Sequence, residues 1–115
     1  MSTVSLVYCP VGTADEALEL GRQLVTERLA ACANVVPGVT SIYHWDGALQ
    51  QDSEVLLLLK TRTDLVSSLR DRLRLLHRYD CPAILSWELA TVNAEYLQWV
   101  LQETTSEPPP DEQAS

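Results

Sequence analysis

The hydrophobic periods along the chain predict an α+β fold: a ferredoxin-like βαββαβ sandwich, with a long hairpin between its second and third strands and a helix at the C-terminal end. Three observations carry that expectation. Two stretches of helical period each follow a stretch of strand period, the alternation that a split βαβ sandwich requires. An Asp46-Gly47 pair sits between two long alternating arms, and Asp-Gly accepts the positive φ values of a type I′ turn. The run Val55 to Leu59 is apolar without a break, so it reads as a strand covered on both faces.

In chain order, Val4 to Cys9 carries apolar residues on both faces and is expected to stop at Pro10. Thr13 with Glu16 three residues on makes a capping box. Ala17, Leu18, Gly21, Leu24, Val25 and Leu29 then recur at helical spacing, predicting a helix to about Ala30. In the hairpin, Trp45 should face Ala48, Tyr43 Gln50, Ser41 Asp52 and Val39 Glu54, with Ala33 to Val36 opposite Leu57 to Lys60. An arm from Ala33 to Trp45 would span roughly 44 Å at about 3.4 Å per residue, so its tip must overhang the sheet. Pro37-Gly38 can bulge or bend, letting the inner and outer halves of the arm point differently.

Thr63 is placed to cap a second helix, with Leu65, Leu69, Leu73 and Leu76 as its buried stripe and an end near His77 or Arg78. From Pro82, alternation through Ile84, Ser86 and Glu88 predicts a fourth strand. Asn93 is placed to cap a last helix, Glu95 to Gln102. This makes one domain over residues 1–103, and a polar, acidic, proline-rich tail over 104–115 that is expected to be disordered. Two helices cover one face of a sheet, whereas these strands are apolar on both. The other face therefore calls for a second layer, most economically another copy of the chain.

The formal charge is −8, which argues against nucleic acid or an anionic membrane surface as a partner, since both select a basic footprint. No apolar run approaches the roughly 20 residues of a membrane helix. The N-terminal stretch MSTVSLVYC lacks the basic region and long apolar segment of a signal peptide, so a cytoplasmic location is expected. Cys9, Cys32 and Cys81 are an odd set without CxxC spacing, and reduced thiols are the expectation.

The series Leu29-Ala30-Ala31-Cys32-x-Asn34, Pro37, Ser41-x-Tyr43-x-Trp45-x-Gly47, Glu54, Lys60-Thr61, His77-x-Tyr79, Pro82 and Tyr96-Leu97-x-Trp99 closely resembles the CutA family of divalent-cation tolerance proteins. The resemblance runs from Val4 to Gln102. It implies a ferredoxin-like subunit in a tight homotrimer with the sheets facing inward, and a role in tolerance of copper and other divalent metals. The chain departs from the family's His-Pro-Tyr-Glu followed by Pro-Glu, reading His77-Arg78-Tyr79-Asp80 and Pro82-Ala83. Some members carry a second histidine before the first, where this chain has Leu76, so a metal role carried over from them loses a ligand.

Cys9, at the end of the first strand, and His77, at the end of the second helix, are the candidate metal ligands. A thiolate favours Cu(I), and imidazole suits copper or zinc. Against this, Cys9 reads first as a small buried hydrophobe, and His77 also as a helix C-terminal cap. Two ligands make a weak site, so at most loose binding of copper or another divalent ion is expected. Tyr43, Trp45 and Trp99 read as interface anchors, because no nucleotide or flavin motif accompanies them. Glu54 and Lys60 fall on one strand face and are expected to form ion pairs or meet a neighbour's charges. No phosphate loop, Ser/His/Asp grouping or HExxH is present, so no reaction is named. The sequence thus points to a homotrimer of metal tolerance; the alternative is a trimeric sensor resembling the PII-type signalling proteins, with a small molecule in its subunit clefts.

Overall fold

The structure, a computed structural model, describes residues 3–105. β1 (Val4–Val11) leads into α1 (Ala14–Thr26), which returns to the hairpin of β2 (Cys32–Trp45) and β3 (Ala48–Arg62). A 3-10 turn (Thr63–Leu65) opens α2 (Val66–Leu76), and β4 (Leu85–Glu88) and α3 (Ala94–Glu103) complete the described chain. The strands lie in the order β2-β3-β1-β4, each antiparallel to its neighbours, which is the predicted ferredoxin-like sheet.

Asp46 and Gly47 take φ of 52° and 78°, both positive as a type I′ turn demands. Trp45 pairs with Ala48 and Val39 with Glu54, as the alternation predicts. Below the turn the register slips. Val36 pairs with Leu56 and Cys32 with Lys60, one residue from the expected pairing, because Pro37 and Gly38 lie in an irregularity between Val36 and Val39. Such a bulge absorbs an unmatched residue, and since strand side chains alternate, it changes which side of the arm a given parity faces.

α1 begins as its sequence dictates: the Thr13 hydroxyl accepts from the Glu16 N–H at 3.1 Å, and Asp15 and Glu16 sit at the positive helix end. It stops at Thr26, short of Ala30, because Arg28 adopts φ 65° and the Leu29 and Ala30 N–H groups both return to the Leu24 carbonyl. Arg28 is fixed there by the Glu103 carboxylate at 2.8 Å. Three other expectations shift locally. Pro10 lies inside β1 opposite Leu56; β4 pairs only with Ser5 to Tyr8, so the missing N–H costs no ladder bond to β4. Thr63 does not cap α2; its hydroxyl bonds Ser5 Oγ at 2.9 Å. Asn93 precedes α3 without a side-chain cap bond. Of the predicted tail, Thr104 and Thr105 are held, by the Val100 carbonyl at 2.7 Å and the Arg28 carbonyl at 3.2 Å. Residues 106–115 lie outside the described residues.

The core forms on one face. Val7, Cys9 and Val11 of β1 and Val55, Leu57 and Leu59 of β3 pack beneath Ala17, Leu20 and Leu24 of α1 and Leu69 and Leu73 of α2. α1 comes close to β2 because Gly21 has no side chain; a Cβ there would meet the Ala33 methyl at 3.0 Å. On the other face, register puts Tyr8 beside Leu58 and Leu85, and Leu6 beside Trp87, since directly opposed residues point the same way. α3 covers only one end of this face, where Val4, Ala31 and Val100 are buried against Leu89, Val92, Tyr96 and Leu97. Leu85 and Trp87 remain 54% and 47% exposed.

Candidate functional site

β4 ends where Tyr8 does, so the last residues of β1 are free to meet the connection that follows α2. The Pro10 carbonyl is the meeting point. His77, the residue after α2, donates from Nε2 to Pro10 O at 2.9 Å, and its Nδ1 accepts the Tyr79 N–H at 3.1 Å. A carbonyl only accepts and an amide N–H only donates, so the two bonds together select the imidazole tautomer with its proton on Nε2. The Tyr79 ring then stacks obliquely on His77, with centroids 4.6 Å apart, and its hydroxyl donates to Glu54 Oε2 at 2.8 Å.

Cys9 reaches the same carbonyl from the covered face, its Sγ 3.9 Å from Pro10 O. The side chain has no exposed surface. Burial first, and then the nearby Glu16 and Glu54 carboxylates, push the thiol up from 9.0 to about 12, so it is protonated at neutral pH. The two candidate ligands are thus neighbours through one backbone oxygen. Each is occupied, however: Cys9 holds its proton, and both nitrogens of His77 are engaged. Among the described residues no group of three or more His, Cys, Asp or Glu side chains is arranged to hold a metal ion. Copper entering here would have to displace the thiol proton and one imidazole hydrogen bond.

Beside Pro10 opens a cleft of about 560 Å³, between the outer part of the hairpin and the segment that follows His77. Tyr43, Trp45, Asp52, Glu54, Tyr79 and Asp80 line it, so its chemistry is carboxylate and aromatic. The Tyr43 hydroxyl donates to Asp52 and is raised by that bond. Tyr79 is raised by burial, then by its bond to Glu54, then by the charges of Glu54 and Glu16. Both phenols are neutral donors at physiological pH.

Of the aromatic residues singled out in the sequence, Tyr43 and Trp45 are thus brought to the cleft and are exposed in the single chain. Trp99 stands on α3 instead, its ring 5.4 Å from Tyr96. Within the single chain Glu54 takes the Tyr79 hydroxyl, and Lys60 Nζ lies 5.6 Å from the centre of the Tyr96 ring. Sequence reasoning passed over Glu16, read there only as part of a cap. Its N–H does make the cap bond, but its carboxylate is buried and Oε2 has no hydrogen-bond partner among the described residues. Thr13 and Glu16 spacing carries no sign of this, because the groups that surround the carboxylate come from distant parts of the chain.

A family model for CutA1 divalent ion tolerance proteins matches residues 5–103. The divalent-cation tolerance protein CutA of Thermus thermophilus is 43% identical over 90% of this chain and 99% of its own length. Human protein CutA is 41% identical over 90% of this chain, which spans 57% of that longer relative. Among solved structures, CutA1 from Oryza sativa superposes with a TM-score of 0.88 at 34% identity, covering 92% of this chain and 97% of that one. CutA1 of Ehrlichia chaffeensis gives 0.87 at 32% identity, covering 91% and 98%. With that match across the whole sandwich, hairpin included, the chain belongs to the CutA1 divalent ion tolerance family.

Proposed function

We propose that the protein acts in the cytoplasm as a homotrimer in tolerance of divalent metal ions, and that copper is held only loosely, at Cys9 and His77. One observation supports the assembly most directly. The face carrying Leu6, Tyr8, Leu56, Leu58, Leu85 and Trp87 is apolar and has one short helix over one end, and apolar area of that kind is what an obligate interface buries. The overhanging hairpin supplies the reach, with Tyr43 and Trp45 as anchors on a neighbour. For copper, a linear Cu(I) site needs a soft pair, and Cys9 Sγ with a His77 nitrogen is the soft pair that converges on Pro10. Three free cysteines suit a reducing compartment.

Competition titration with a Cu(I) chelator tests the copper reading. Binding should weaken as pH falls, since protons compete for both ligands, and Cys9→Ser should abolish it. Copper binding unchanged in both Cys9→Ser and His77→Ala would move the ion elsewhere. The second reading, a sensor of a small molecule, draws on the cleft between hairpin and Tyr79. Metabolite titration that raises the melting temperature in the absence of metal would favour it.

A further inference from the structure

Gly12 links β1 to the cap of α1, and a side chain is missing there in a telling place. A Cβ on Gly12 would lie 3.5 Å from Glu16 Oε1, 3.6 Å from Tyr79 Oη and 3.9 Å from the Tyr79 ring. The space beside Gly12 is therefore walled by a carboxylate and a phenol. Glu16 is only 6% exposed and its Oε2 has no partner among the described residues. A carboxylate buried without a cation or full hydrogen bonding is costly, and it is the group's other oxygen, Oε1, that faces the space beside Gly12. Tyr79 gives its proton to Glu54, which leaves the oxygen's lone pairs to accept. Tyr79 is also a wall of the neighbouring cleft, whose lining holds Asp52, Glu54 and Asp80 and neither Lys nor Arg.

We propose that this space is a binding subsite for a primary ammonium group, its N–H donors shared by Glu16 and Tyr79 beside Gly12 and its aliphatic stem running past Tyr79 into the cleft. An ammonium has three donors and suits a few acceptors arriving from different directions. A divalent ion of calcium's size takes six to eight oxygens, whereas the described residues offer no such grouping. The Tyr79 ring, a wall of the cleft that the proposed assembly does not use as an anchor, suits both an apolar stem and a cationic group. The positive end of α1 opposes the ammonium weakly, and the Glu16 and Glu54 carboxylates outweigh it. The subsite uses groups of one subunit and depends on neither the trimer nor copper.

Titration of the intact protein with n-butylammonium chloride, followed by backbone amide NMR shifts at Gly12 and Tyr79, tests this. Saturable binding is expected at millimolar concentration, with no matching response to 1-butanol, sodium chloride or magnesium chloride. Gly12→Ala should weaken it about tenfold or more, since the new methyl occupies the space while making only ordinary contacts, so the melting temperature stays near the parent's. Glu16→Gln, which keeps the shape and removes the charge, should weaken it by about tenfold to a hundredfold. Lack of saturation, an equal response to 1-butanol or magnesium, or parent-like binding by either variant would overturn the assignment.

Discussion

The two faces of the sheet are woven from the same strands and nearly the same residues, yet they end differently. Leu57 and Leu59 point under the helices and have no exposed surface, whereas their neighbours Leu56 and Leu58 point the other way and stay half-buried. An unbroken leucine run declares that both sides of a strand want cover. It does not say what supplies it. On one side the chain supplies α1 and α2; on the other it supplies α3 over one end only. The difference teaches that the chain's own helices cover one apolar face of the sheet and leave most of the other uncovered.

Paired truncations would sharpen that contrast. Leu59→Ala should cost about 2–5 kcal/mol, the range for opening a cavity in a closed core, and the loss in urea unfolding should be independent of protein concentration. Leu58→Ala, chemically the same change, should show a loss that grows on dilution if the proposed association is what covers it. A Leu58→Ala loss equal at all concentrations would break the comparison. Trp45→Ala should weaken assembly by about 2 kcal/mol, as truncated aromatic anchors commonly do; a dilution series by light scattering reads it, and an unchanged series would remove Trp45 from the interface.

Smaller effects probe the covered side. Arg72 grips Glu27 with two bonds of 2.9 and 2.7 Å, joining α2 to α1, and that grip holds the Glu27 carboxyl below its ordinary 4.5. A depressed carboxyl stabilises the fold above its unfolded value and loses that contribution as pH falls through its folded one. Glu27→Ala should therefore cost about 1 kcal/mol at neutral pH and flatten the acid limb of a stability profile; an unaltered limb would discount the pair. Cys9 works in the opposite sense. Its raised thiol favours the fold below pH 9.0, and the contribution fades as pH rises toward about 12. Cys9→Ala should remove that alkaline decline, and in the parent Cys81 should react with iodoacetamide well before Cys9, because Cys81 is exposed. Equal labelling rates would contradict the buried thiol.

Much of this architecture could be read from the residues because local rules set it. Asp46-Gly47 fixed the turn and the outer register, and Thr13 fixed the start of α1. The misses arise where a backbone irregularity or a tertiary partner outweighed a local preference. Pro37-Gly38 announced a bulge but not the one-residue slip it imposes. Thr63 looked like a cap until Ser5 claimed its hydroxyl, and α1 stopped early where Arg28 turns to positive φ and the Leu29 and Ala30 N–H groups return to the Leu24 carbonyl. The site was less readable still. Cys9 and His77 stood out by residue type, but their meeting at Pro10 O depends on folding, and the grouping of Gly12, Glu16, Glu54 and Tyr79 joins three separate stretches of chain.

The contrast between the two faces stands or falls on the state of association. Multi-angle light scattering of the purified protein at micromolar concentration should give the mass of three chains of 12.8 kDa, the number taken from the family resemblance and the need for partners from the open face. A single species of one chain's mass at that concentration would mean that the open face and the overhanging hairpin are tolerated in water, and would contradict the assembly outright.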